Sequence, residues 1–196
     1  MNSAELKRAK RDVRRRVLAE RDSVPAPDRA RLGAVVAERF LRLPEMDVAS
    51  TVMSFWAFGS ELPTAPLIEA LHARGVRVAL PCVVEGELEP RIYRPGDAVT
   101  ATSFGALEPT GGAAVEPTDI DLVAVPAVAF DRQCRRVGYG GGFYDRFLLR
   151  VRSSAPRIGI GYGVQLLPPE QTLPAGRFDR RVDVVLTESD IVRCSP

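Results

Sequence analysis

The chain has 196 residues, 45% of them hydrophobic and 27% charged, with 16 glycines, 16 prolines and a formal net charge of +2 at pH 7. At this length roughly 70% of the unfolded surface can be buried in one core, so no disulfide scaffold is needed, and the three cysteines (Cys82, Cys134, Cys194), odd in number and without C-x-x-C spacing, read as reduced thiols without structural zinc. No run approaches the ~18 apolar residues of a membrane span and the N-terminus is charged, which argues against membrane insertion and secretion and predicts a cytoplasmic protein.

Residues 4–21 predict a helix with a thin apolar stripe (Leu6, Val13, Val17, Leu18) and basic residues over most of the rest. Residues 23–27 break it. Asp28 is placed to cap a second helix whose Leu32, Val35, Val36 and Phe40 fall at helical spacing and which stops before Pro44. Residues 50–57 (STVMSFWA) then predict a strand, 64–74 a helix with Leu67, Ile68 and Leu71 inward, and 76–84 (VRVALPCVV) a strand broken at Pro81, together one βαβ unit. Ile92 and Tyr93 suggest a short strand; 121–125 (DLVAV), 157–160 (RIGI) and 182–186 (VDVVL) read as buried strands, and 143–152 as a helix. Strands alternating with helices imply a mostly parallel sheet covered on both faces, whose ligands bind beyond the carboxyl ends of the strands.

Two scarcities narrow the chemistry. His72 is the only histidine, so a His-ligated metal or a His-based proton relay is hard to build. Lys7 and Lys10 are the only lysines, and the positive charge is concentrated at one end: residues 1–42 hold 12 Lys+Arg against 6 Asp+Glu, +6 in all. A nucleic-acid-binding role for that basic segment is disfavoured by its lack of interleaved aromatics and the small net charge of the whole chain.

The most informative segment is 130–146, FDRQCRRVGYGGGFYDR. Gly138, Gly140, Gly141 and Gly142 remove four of five Cβ atoms from one short loop, letting backbone N–H groups approach an anion just ahead of a helix N-terminus. Arg136 enters from the preceding side, and Asp145, one turn into the helix, is placed to hold Mg²⁺ against a bound phosphate. The loop is neither G-x-x-x-x-G-K-[ST] nor G-x-G-x-x-G, and alone it reads as readily as a tight turn.

The whole string, R-x-G-x-G-G-G-[FY]-Y-D-R preceded by P-x-x-x-F-D at 126–131, resembles the 5-formyltetrahydrofolate cyclo-ligase family. The Lys10-Arg11-x-x-Arg14 run resembles that family's ATP-contacting helix, Glu61 followed by Thr64 its folate-side E-x-x-T element, and 178–188 (FDRRVDVVLTE) its closing strand. The resemblance implies one α/β domain over 1–196, a three-layer sandwich with a mostly parallel sheet related to sugar-phosphate isomerases and CoA transferases, with residues 1–43 as a basic helical arm packed on it. It also implies an ATP- and Mg²⁺-dependent conversion of 5-formyltetrahydrofolate to 5,10-methenyltetrahydrofolate, in a cytoplasmic protein expected to be a monomer and without membrane or nucleic-acid partners.

Site residues follow from the same resemblance. ATP would be bound by Lys10, Arg11, Arg14, Arg136, Val137, Gly138, Tyr139, Gly140, Gly141, Gly142, Phe143 and Tyr144. The folate would be bound by Trp56, Glu61, Tyr139, Gly140, Gly141, Gly142 and Phe143. Mg²⁺ would be held by Asp145 and Asp179, the latter preferred over Asp183. No protein nucleophile is implied; Arg136 and Tyr144 would position the reacting groups. Read alone, Lys10, Arg11 and Arg14 are a solvated helix face and Glu61 a surface residue or cap. Arg11 and Trp56 stay open between the two readings, Trp56 being equally a core residue. The chain departs from the family pattern with Cys134 where Gly is common, a residue that tolerates φ > 0 poorly, and with no Arg or Lys at Tyr139 or Gly141, so phosphate charge would fall to Arg136, Arg146 or the N-terminal helix.

Overall fold

A computed structural model describes residues 2–102 and 105–194. Helix α1 spans Ser3–Asp22, opened by a capping box in which the Asn2 side chain accepts from the Glu5 amide at 2.9 Å and Glu5 accepts from the Asn2 amide at 2.8 Å. Helix α2, Ala26–Phe40, starts right after Pro25, so Asp28 lies in its first turn and does not cap it. Strand β1 (Thr51–Met53), helix α3 (Ala65–Ala73) and strand β2 (Arg77–Val84) form the expected βαβ unit, β1 and β2 pairing in parallel. Strand β3 (Glu87–Tyr93) follows through the two-residue Glu85-Gly86 turn, both residues at positive φ, 51° and 82°.

Two short strands, β4 (Val99–Ala101) and β5 (Leu107–Pro109), make a separate ribbon. Strand β6 is Leu122–Val125, and a second ribbon pairs β7 (Ala129–Phe130) with β8 (Arg136–Val137). Helix α4 (Phe143–Phe147), strand β9 (Arg157–Ile160), strand β10 (Val184–Leu186) and strand β11 (Ile191–Arg193) complete the chain. The main sheet runs β11-β10-β9-β6-β1-β2-β3, with the five inner strands parallel and both edge strands antiparallel.

Strand alternation sends neighbouring residues into two different cores. Val52, Leu122, Ala124, Val184 and Leu186 meet Val36, Phe40, Leu67 and Leu71 of α2 and α3 on one face. Met53, Val123, Val125 and Val185 meet Phe147, Leu148 and Phe130 on the other. That is the three-layer sandwich expected, and it makes α2 one of the layers. Helix α1 packs apart, burying Val17 against Val128, Ala129, Val137 and Leu167 around the β7/β8 ribbon.

Several expectations are corrected. The strand over 50–57 ends at Met53, because the chain then turns: the Thr64 hydroxyl donates to the Phe55 carbonyl at 2.5 Å and accepts from the Ala57 amide at 3.0 Å. Pro81 does not break β2, since β1 pairs only as far as Ala79 and Pro81 faces Pro90 where β3 is the sole neighbour. The helix expected over 143–152 is five residues long and tightens into turns such as Leu149 N–H to Arg146 C=O, 3.2 Å. The three thiols are not all free. Cys134 and Cys194 form a disulfide with Cα atoms 6.1 Å apart, within the range such a bond needs, because β11 returns the chain end beside the turn at 131–134. Cys82 is the free and buried cysteine. Cys134 does take the left-handed conformation, φ 57°, in the turn before Arg135.

Candidate active site

The loops that leave β1 and β6 at their carboxyl ends, the glycine loop, helix α1 and the 176–180 segment surround one cavity of about 1010 Å³. Pockets for drug-sized ligands span ~300–1,000 Å³, so this cavity stands at the upper end of that range. Arg11 is the only sequence-expected site residue that does not line it. The reason is helical geometry: Ser3, Lys7, Lys10 and Arg14 recur at three and four residues on the cavity face, while Arg11 is turned about 100° from Lys10 and is exposed. Of the three basic residues, Lys10 and Arg14 therefore lie on the cavity face and Arg11 lies off it.

One wall is built from the glycine loop and basic side chains. Gly140 and Gly142 have φ of 113° and 70°, conformations a side chain would strain, and a Cβ on Gly140 would face the Arg14 guanidinium at 3.5 Å. Arg14 donates through Nε to the Gly138 carbonyl at 2.6 Å, so α1 fastens the loop it faces. Arg146 braces the loop from the far side, donating to the Gly141 carbonyl at 3.0 Å and pairing with Glu87 at 2.6 Å. Lys10 places Nζ 2.6 and 2.5 Å from the two carboxylate oxygens of Asp179. Asp183 lies elsewhere, accepting from the Arg157 amide at 2.7 Å where β9 begins.

Asp145 is the second carboxylate on this side. Its Oδ1 accepts from Arg136 at 2.6 Å and from the Arg180 amide at 2.9 Å, so Oδ2 is the oxygen a cation would use. The Arg136 side chain is 4% exposed, and its Nε has no hydrogen-bond partner among the described residues. Mg²⁺ is commonly held by one or two carboxylates together with phosphate oxygens and water. Asp145 suits that pattern. Asp179 suits it only when its oxygens are released by Lys10, and among the described residues no cluster of three or more His, Cys, Asp or Glu is assembled for a metal.

The opposite wall is apolar with one carboxylate. Trp56 lines the cavity and also meets Tyr93 edge-on at 5.3 Å, so it serves as both wall and core margin. Glu61 is 7% exposed; burial pushes its carboxyl above the usual range, against hydrogen bonds from the Phe58 amide at 3.1 Å and the Tyr139 hydroxyl at 2.9 Å and the charge of Arg21. The Tyr144 hydroxyl is buried beside the cavity without a hydrogen-bond partner among the described residues, and burial raises it well above the usual phenol range. Val137 and Phe143 complete the lining around the glycine loop.

Sequence reading missed Arg21, 3% exposed at the end of α1, which donates to Tyr139 at 2.8 Å and to Ser60 at 2.9 Å. A signal was present: Lys7, Lys10, Arg14 and Arg21 share one helix face by their spacing. It also missed Glu108, a cavity carboxylate raised by burial, because β4 and β5 are too short to show a period. Gln165 stands behind the site, donating to the Ala127 carbonyl at 2.8 Å. His72 ties α3 to β3, its ring nitrogens 2.8 Å from the Ile68 and Tyr93 carbonyls.

Comparison with known proteins agrees with this architecture. The model of the 5-formyltetrahydrofolate cyclo-ligase family matches residues 6–188. The 5-formyltetrahydrofolate cyclo-ligase of Escherichia coli (strain K12) is 32% identical over 166 residues, covering 82% of this chain and 90% of that one. Its counterpart in Mycolicibacterium smegmatis is 33% identical over 188 residues, covering 92% and 94%. Among solved structures, the 5,10-methenyltetrahydrofolate synthetase of Aquifex aeolicus has a TM-score of 0.83 at 31% identity, over 95% of this chain and 93% of that one.

Proposed function

The chain belongs to the 5-formyltetrahydrofolate cyclo-ligase family, and from that premise we propose that its cavity carries out the family's ATP-dependent conversion of 5-formyltetrahydrofolate to 5,10-methenyltetrahydrofolate, releasing ADP and phosphate. The observation that carries the reading is the pairing, within one cavity, of the glycine loop with a wall holding the buried Glu61 and the Tyr144 hydroxyl, which has no partner among the described residues.

The chemistry asks little of the protein beyond position and charge. A formyl oxygen is a poor leaving group until it is phosphorylated. The γ-phosphoryl group passes to that oxygen with release of ADP, N10 of the folate attacks the activated carbon and gives up its proton, and phosphate departs with the oxygen. No side chain acts as nucleophile. Lys10, Arg14 and Arg136 neutralise phosphate charge, and the amides around Gly138, Tyr139, Gly140, Gly141 and Gly142 supply fixed donors. Phe143, Val137 and Trp56 give apolar walls, Glu61 accepts from the folate, and the Tyr144 hydroxyl donates to the reacting oxygen, whose charge it is placed to relieve.

Asp145 and Asp179 would hold Mg²⁺, Asp145 through Oδ2 and Asp179 once phosphate draws Lys10 away from it. The ion would supply charge neutralisation on the phosphates. The reading extends to a cytoplasmic monomer. No helix among the described residues is long and apolar enough to cross a membrane.

The test is release of ADP. Purified protein with ATP and Mg²⁺ is expected to release ADP only when 5-formyltetrahydrofolate is added. Release that ignores the folate would contradict the reading, as would ligand-induced stabilisation without any ADP, which marks a binding protein that does not turn over.

A further inference from the structure

The cavity holds a connection between its two walls that the proposed chemistry does not use. Tyr139 belongs to the glycine loop, yet its hydroxyl reaches across to Glu61 Oε1 at 2.9 Å. The direction of that bond is fixed by Arg21, whose Nη1 lies 2.8 Å from the same hydroxyl. A guanidinium only donates, so the phenol oxygen accepts from Arg21 and its single proton goes to the carboxylate. Arg21 is itself held, its Nε donating to Ser60 at 2.9 Å, and Ser60 in turn donates to Asp22. The Tyr139 ring is flanked by Phe58, centroids 5.2 Å apart, and by the Arg21 guanidinium 5.7 Å from its centroid.

We infer that Tyr139 is a positioning residue for the folate half of the reaction, orienting the Glu61 carboxylate with its hydroxyl while Arg21 orients that hydroxyl from behind. This deepens the cyclo-ligase reading and rests on it. Oε2 is held independently by the Phe58 amide at 3.1 Å, so the two bonds together fix the plane of the carboxylate. Two acceptor directions remain for donors on a ligand. Because Tyr139 rides on the loop assigned to the nucleotide, the device also ties the posture of Glu61 to that loop.

The titratable groups facing Glu61 are Arg21 from α1, Tyr139 from the glycine loop, Tyr144 from α4 and Tyr162 from the loop after β9, whose hydroxyl donates to the Glu61 carbonyl at 3.1 Å. Among these, the Tyr139 hydroxyl and the Arg21 charge favour the ionised carboxylate against its burial. Removing the hydroxyl therefore raises the pH at which Glu61 ionises.

The experiment is Tyr139→Phe, which keeps the ring and deletes the hydroxyl that donates to Glu61 and accepts from Arg21. It is expected to raise KM for 5-formyltetrahydrofolate about tenfold while moving KM for ATP less than about twofold, because the Tyr139 backbone amide proposed to meet the nucleotide is retained. The acid limb of kcat/KM for the folate is expected to move up by about one pH unit, and both effects should vanish in a Glu61→Gln background. Arg21→Lys, which keeps the charge but loses the fork, should produce a smaller change of the same kind. Unchanged folate KM and pH limb in Tyr139→Phe, or equal effects with Glu61→Gln already present, would overturn the inference. The ¹³C carboxyl resonance of Glu61, assigned by its loss in Glu61→Gln, gives a readout without substrates: it should titrate at higher pH in Tyr139→Phe, and coincident titrations would overturn the inference. If the unmodified protein makes no product, the cyclo-ligase reading fails by itself and the resonance still decides the coupling.

Discussion

Lys10 in helix α1 and Asp179, 169 positions later, form an ion pair of 2.5 Å at the cavity. With the bond from Arg14 to the Gly138 carbonyl, this pair lays the basic face of α1 along the glycine loop. The face that a lone sequence suggests is solvated is partly covered, with Lys10 side-chain exposure at 16%.

A charge-deletion series along α1 follows from that geometry. Lys10→Ala is expected to raise KM for ATP about tenfold, the scale of losing one charge-assisted hydrogen bond. Arg11→Ala should leave KM and kcat within about twofold, because Arg11 is exposed and off the cavity face. Steady-state kinetics on the two variants check the pair. Equal losses would mean that α1 meets the nucleotide in a different rotation.

The two ways of removing the Asp145 charge should differ in stability. Asp145→Asn keeps an acceptor for Arg136 and for the Arg180 amide, whereas Asp145→Ala leaves the buried Arg136 guanidinium without its partner. The alanine variant is expected to lose about 3 kcal/mol in denaturant unfolding, and the asparagine variant about 1 kcal/mol or less. Both should need more Mg²⁺ for half-maximal turnover. An asparagine variant with unaltered Mg²⁺ dependence would remove Asp145 from the metal site.

Glu61 gives a pH-dependent stability with an unusual sign. Burial raises this acid in the folded state, so the folded protein binds its proton more tightly than the unfolded chain does. Its effect on stability is nil below both ionisations and increasingly unfavourable as pH rises from the unfolded value toward the folded one. The Tm of Glu61→Gln minus that of the parent should therefore increase as pH rises above the ordinary glutamate range, while turnover falls. A flat difference would contradict the burial of an ionising carboxyl at this position.

Cys134 and Cys194 close a loop with a sequence separation of 60, for which the chain-entropy model gives about 4 kcal/mol of stabilisation. Cys194→Ser should lower stability by up to that amount under oxidising conditions and by much less in excess reductant. Cys134→Gly in reductant should recover about 1 kcal/mol, because Cys134 holds a left-handed φ of 57° that glycine adopts without strain. Denaturant midpoints with and without reductant measure both. Three alkylatable thiols in the folded, oxidised protein would contradict the bond.

The parallel core was legible because β6, β9 and β10 are buried on both faces and therefore read as continuous apolar runs. The β4/β5 and β7/β8 ribbons, of two or three residues a strand, carry no period to read. The glycine loop was legible from composition, since Gly140 and Gly142 stand where positive φ excludes most side chains. The Arg21–Tyr139–Glu61 connection was not, because nothing local in sequence links positions brought together only when α1 packs on the β7/β8 ribbon. The disulfide was hidden for a similar reason: Cys134 and Cys194 meet only after β11 folds back along β10.

The central claim is tested most directly by following the conjugated methenyl chromophore in the near ultraviolet after mixing the protein with 5-formyltetrahydrofolate and Mg²⁺, with and without ATP. The account predicts a band that grows only with ATP and in proportion to enzyme. No band in a protein that is folded and binds both substrates would contradict it.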